Sequence, residues 1–153
     1  MRIVMAGTVL AERNFIVNAN PDRVWRLIGK VIFSVLPGME SMEILDENNF
    51  RSLLRVKMMG FEWVLKLRGE MVDISPPESF SVRLLLEGLG GLVKADQKVS
   101  LAMTPAENGK TSVACRAATE DMGFLQRVFL SGQARAFARE TFEAIERRLK
   151  ELA

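Results

Sequence analysis

The sequence of 153 residues contains no histidine, no tyrosine and a single cysteine, Cys115. Without histidine the Ser-His-Asp and Cys-His nucleophile systems are excluded, along with the side chain that titrates nearest neutrality. One cysteine and no histidine cannot assemble the zinc sites made of those ligands, and no intramolecular disulfide can form. No metal and no cofactor is expected from these residue types. No apolar run approaches the ~20 residues that a membrane helix needs. The apolar patch at the N-terminus is also too short for a secretory signal. Charge of one sign is scarce as well: 21 basic residues face 19 acidic ones, which leaves no nucleic-acid footprint. A cytoplasmic protein is the default expectation.

What is present is apolar substance, 48% of the residues. A chain of this length buries roughly 68–70% of its unfolded surface on folding, enough for a core without metal or disulfide support. No repeat, low-complexity tract or linker divides it, so residues 1–153 are expected to form a single domain.

Residues 8–17 are rich in β-branched and apolar types and read as a strand. Asn20-Pro21-Asp22 then combines an N-cap, a first-turn proline and an acid at the positive helix end. Val24, Trp25, Leu27 and Ile28 predict a short amphipathic helix broken near Gly29, followed by a second short helical or irregular piece over residues 31–36. From Pro37-Gly38 onward the apolar period becomes two. Leu54, Val56 and Met58 oppose Arg51, Arg55 and Lys57, and Trp63, Leu65 and Leu67 oppose Glu62, Lys66 and Arg68. Leu84 and Leu86 oppose Arg83 and Glu87, and Val99, Leu101 and Met103 oppose Lys98 and Ser100. Asn108-Gly109 is a strong hairpin signal before the last strand, 111–119. From Asp121 the period returns to about 3.6, with a stripe through Leu130, Ala134, Phe137, Thr141, Ile145 and Leu149. The order predicts an α+β fold. A curved antiparallel sheet of about seven strands wraps a long C-terminal helix, with two short helices after the first strand and the first strand joining the late ones.

Several segments in this order resemble one known family. They are Phe15-Ile16-Val17-Asn18-Ala19-Asn20-Pro21 with Val24-Trp25, Leu36-Pro37-Gly38-Met39-Glu40, and Phe50-Arg51 with Val56-Lys57. Arg68-Gly69-Glu70 with Pro76-Pro77, the stretch 88–95, and Gly132-Gln133-Ala134 with Phe142 complete the set. Together they resemble the carbon monoxide dehydrogenase CoxG family of the START-like, or SRPBCC, helix-grip superfamily. The resemblance implies an elongated apolar cavity between sheet and terminal helix that holds a hydrophobic small molecule or a lipid- or quinone-like ligand. It also implies an accessory role beside a carbon monoxide dehydrogenase-type oxidoreductase. Longer members carry a C-terminal extension that can anchor them to membrane; this chain stops with its helix at Ala153, so at most peripheral membrane contact is expected.

Set on that fold, the inward strand positions Leu54, Val56, Trp63, Leu65, Leu67, Leu84, Gln97 and Val99 are the candidate lining, with Gln133 and Phe137 from the helix. Gln97 is the polar exception on an apolar face and can orient the polar end of a ligand. Glu62, Glu70, Glu87 and Asp96 fall on the solvated faces, where nothing raises an acid's pKa into the catalytic range. No acid, Arg or Lys is clearly directed inward, and Cys115 reads as an inert core thiol. No catalytic residue is assigned. A binding module is favoured over two alternatives, a cyclase- or hydrolase-type enzyme using the same cavity and a recruitment module without ligand.

Overall fold

The computed structural model describes residues 8–32, 34–36, 38–58, 60–91, 93–119 and 124–153, leaving aside the side chains at 58, 89, 93 and 124–131. Strand β1 (Thr8–Val17) leads into helix α1 (Pro21–Val31). Six strands follow: β2 (Met39–Ile44), β3 (Asn49–Met58), β4 (Phe61–Ser75), β5 (Ser79–Gly88), β6 (Val93–Pro105) and β7 (Thr111–Thr119). Helix α2 (Phe124–Leu152) closes the chain. The expectations at Pro37 and Asp121, and those for the side chains of Met58 and Leu130, lie outside the described residues.

Helix α1 starts as its sequence dictates. The Arg23 amide donates to the Asn20 side chain at 2.9 Å, and Pro21 occupies the first turn. The expected break at Gly29 does not occur, which corrects the two-helix reading to one helix. Glycine costs about 1 kcal/mol against alanine within a helix, but Leu27, Ile28 and Val31 are buried on both sides of it and hold the last turn in place. Ile32 caps the helix by donating its N–H to the Ile28 carbonyl at 2.9 Å. Beyond it the described residues up to Gly38 form turns and no second helix.

The strands form one seven-stranded sheet in the order β1-β7-β6-β5-β4-β3-β2, antiparallel throughout. As expected, the first strand joins the last, and β1 and β2 are the two edges. At the β6–β7 turn Asn108 and Gly109 both take positive φ, 60° and 72°. That is the geometry for which Asn-Gly is selected at a tight hairpin. The sheet curves around α2, a helix of 29 residues and therefore about 43 Å long.

Residues on the inner face line up in rows across the sheet. One row runs Arg13–Cys115–Leu101–Phe80, and the next Ala11–Ala117–Val99–Val82–Met71. Then come Thr119–Gln97–Leu84–Gly69–Phe50 and Ala95–Leu86–Leu67–Ser52. The pairs Leu65–Leu54 and Trp63–Val56 continue toward the far end of the β3–β4 hairpin. Neighbouring rows are two residues apart, or about 7 Å. Against them α2 lays Ala138, Thr141, Phe142, Ile145 and Leu149, all buried. Helix α1 adds Val24, Leu27 and Ile28, and Trp25 meets the Phe80 ring edge-on at 5.6 Å. Two polar ties hold α2 to the edge strand: Arg13 pairs with Glu146 at 2.6 Å, and Arg135 donates to the Val9 carbonyl at 3.0 Å.

Candidate functional site

Between the inner sheet face and α2 lies a small cavity of about 20 Å³, room for roughly one water molecule. The sheet contributes Phe50 and Leu84 from the Gln97 row, Gln97 itself, and Val82 and Val99 from the next row. Helix α2 contributes Phe137, Ala138, Thr141 and Phe142. Ile32 and Leu36, in the segment between α1 and β2, form the remaining side. No charged side chain is part of this wall. Ile32, Leu36 and Phe137 are only half-buried, so they form its yielding side. The sheet floor does not yield: Phe50, Val82, Leu84 and Val99 are buried and backed by paired strands.

Each buried polar side chain near this space is satisfied, with one exception. Thr141 donates its hydroxyl to the Phe137 carbonyl at 2.8 Å, and Thr119 donates to the Asp96 carbonyl at 2.9 Å. Ser52 donates to the Ser41 carbonyl. Gln97 is 2% exposed, and its Oε1 has no hydrogen-bond partner. Leaving a buried acceptor unmade costs about 1–3 kcal/mol.

Four of the expected lining residues, Leu84, Gln97, Val99 and Phe137, meet at this cavity. The others are spread along the strands. Leu67 lies one row from Gln97, Leu54 and Leu65 two rows, and Val56 and Trp63 three rows, about 20 Å away. Leu54, Leu65 and Leu67 are buried in the same continuous core; Val56 and Trp63 are half-buried against it. Gln133 is exposed on α2.

The structure adds two groups to the inner face. Phe50 is 3% exposed and forms part of the cavity wall, because the glycine opposite it at position 69 leaves room for its ring. The pairing of an aromatic with a strand glycine was the available signal. The expectation of no inward cation is corrected by Arg13, which shares the inner face with Phe15 and Val17 and sits opposite Cys115. Edge position explains it: the guanidinium reaches Glu146 on α2 and keeps access to solvent. Lys150 also donates to Glu146, at 2.7 Å, and together with Arg13 it holds that carboxyl below its ordinary value. Burial pushes the Cys115 thiol up to about 12, so it is protonated and unreactive at neutral pH. Glu62, Glu70 and Glu87 are exposed, and Asp96 accepts from Arg83 at 2.7 Å on the outer face. Among the described residues no group of three His, Cys, Asp or Glu side chains could hold a metal ion.

A larger concavity, about 1080 Å³ and open to solvent, lies on the outer sheet face between Arg51, Lys66, Arg68, Glu87 and Lys94. Its rim is built from the solvated ends of long side chains, which offer a ligand little apolar burial. No helix among the described residues is long and apolar enough to cross a membrane.

A curved antiparallel sheet gripping a long terminal helix over an apolar interior defines the helix-grip, START-like class. Solved structures agree on the fold. A conserved protein from Geobacillus kaustophilus superposes with a TM-score of 0.71 at 18% identity, covering 92% of this chain and 94% of that one. A START superfamily protein from Mycobacterium smegmatis gives 0.59 at 10% identity, over 92% and 94% of the two chains. The Zhui aromatase/cyclase from Streptomyces sp. R1128 gives 0.58 at 17% identity, over 92% and 90%. No curated protein matches the sequence. The model of the carbon monoxide dehydrogenase CoxG family matches residues 14–150, and the chain belongs to that family. Family and fold together suggest a ligand-binding accessory role.

Proposed function

We propose that this protein is a non-catalytic carrier that holds a hydrophobic small molecule or lipid-like chain between the inner sheet face and α2. The observation that carries the reading is the wall itself: an apolar floor of paired strands, no charged side chain, and a yielding side of half-buried Ile32, Leu36 and Phe137. A ligand pocket takes a few hundred Å³, so the ligand enters by displacing that side. Apolar burial at ~25 cal/mol per Å² supplies the affinity. Leu84, Gln97, Val99 and Phe137 make the first contacts, and a long chain runs on along the rows of Leu67, Leu54 and Leu65 toward Val56 and Trp63. The family description further supports work beside an oxidoreductase of the carbon monoxide dehydrogenase type, with the carrier acting in the cytoplasm.

Native mass spectrometry and organic extraction of freshly purified protein test this. A reproducible co-purifying apolar molecule is expected, as is displacement of a bound apolar fluorophore by added ligand. A protein that extracts empty and binds no apolar probe refutes the reading.

A further inference from the structure

The carrier reading leaves open what the polar end of the ligand must be, and Gln97 bears on that question; the inference below rests on that reading. Gln97 stands in the middle of the sheet between Leu84 and Thr119, 2% exposed, on the wall of the cavity, with Oε1 unpartnered. The other polar side chain on that wall is Thr141, 4% exposed. Its hydroxyl hydrogen is committed to the Phe137 carbonyl at 2.8 Å, so it offers the cavity lone pairs only. The polar atoms presented by the described wall are therefore both acceptors.

That pattern selects among ligand chemistries. A carboxylate or phosphate would lie in an apolar wall without a cation, which strongly disfavours burial. A ketone, ester or ether oxygen would face Gln97 Oε1 acceptor to acceptor and leave both unmade. A hydroxyl supplies the missing hydrogen. We propose that the cavity recognises a neutral amphiphile bearing a hydroxyl group, whose O–H donates to Gln97 Oε1 while its carbon skeleton fills the apolar space. Were the amide turned over, its NH₂ would face the same space and prefer a carbonyl. The two cases are separable in solution.

Three probes of nearly equal size make the test: dodecanol, its isomer undecyl methyl ether, and decyl methyl ketone, each titrated against protein carrying an apolar fluorophore. Dodecanol is expected to bind roughly tenfold to a hundredfold more tightly than the ether, and the ketone to bind like the ether. In Gln97→Leu the preference for the alcohol disappears while ether binding is retained; Gln97→Met serves the same purpose should the leucine variant fold poorly. Equal binding of alcohol and ether by the wild type overturns the inference and leaves the carrier reading standing, as does a ketone that matches the alcohol. A preference that survives both Gln97 variants also overturns it. Binding of none of the three overturns the carrier reading, and this inference with it.

Discussion

Replacing Gly69 by alanine tests the packing of the site floor. Gly69 sits in mid-strand, opposite Phe50 on one side and Leu84 on the other, and its backbone is ordinary extended chain. A β-carbon placed there would lie 2.1 Å from Phe50 Cζ, 2.2 Å from Cε1 and 2.8 Å from Cε2. Phe50 is 3% exposed and already borders the cavity, which has room for about one water molecule. The ring cannot yield without disturbing its neighbours, and overpacking of this kind costs about 1–3 kcal/mol. Against that, Gly→Ala at a compatible backbone position gains about 0.4–1 kcal/mol through the unfolded chain. The net expectation is a loss of about 1–2 kcal/mol, or roughly 2–8 °C in Tm for a chain of this size. The control is Phe50→Leu, which lacks all three ring atoms named. In that background Gly69→Ala should become stabilising, so urea denaturation of the four proteins should give a coupling energy of about 2–3 kcal/mol. If Gly69→Ala stabilises the wild type, or the two effects add, the ring does not rest on Gly69 and the floor described above is wrong.

Four further outcomes are expected. Gln97→Leu should raise stability in urea by about 1–3 kcal/mol, because it removes an unmade buried acceptor; a loss of stability would show that the amide is already satisfied. Cys115, with its thiol pushed up to about 12 by burial, should resist Ellman's reagent at pH ~8 in the folded protein and react once per chain in guanidinium; rapid labelling of native protein would contradict its placement. Glu146 is held below its ordinary 4.5 by Lys150 and Arg13, so its ionised form stabilises the fold above that pH. The contribution is lost as pH falls through the depressed folded value. Thermal melts from pH ~7 to ~3 should therefore fall more steeply for wild type than for Glu146→Gln, and parallel curves would refute the pairing. Asn20→Ala should cost about 0.5–2 kcal/mol through loss of the cap on α1, read as a lower urea midpoint.

The strands were readable because each buries one face. Leu65 and Leu67 alternate with Lys66 and Arg68 in the sequence, and they are buried and exposed in the same alternation in the fold. Alternation carries no information, however, on which residues of different strands share a row. Leu54 and Leu84 look equivalent as apolar inward positions, yet two rows separate them, because β3, β4 and β5 are offset by their turns. A candidate lining drawn from alternation alone therefore spreads along about 20 Å of sheet, while the cavity sits on two rows. The helix shows the same limit. Phe137 stands at the border of the buried stripe and is half-buried. Gln133, four residues earlier, is turned about 40° further around and is exposed.

Gln97 and Arg13 both depart from the apolar pattern of the inner face, and their surroundings give the departures opposite meanings. Arg13 lies on an edge strand, so its head reaches Glu146 and solvent, and the interaction is strapping of α2 to β1. Gln97 lies on β6, with strands on both sides, and no described donor reaches its Oε1. An apolar residue at that position would pack the same space without the desolvation penalty. A polar group kept there against stability, on the wall of a cavity that offers acceptors and no charge, is explained by what it recognises rather than by what it holds together. The absence of histidine and tyrosine then fits a wall whose polar atoms accept a hydrogen bond and transfer no proton.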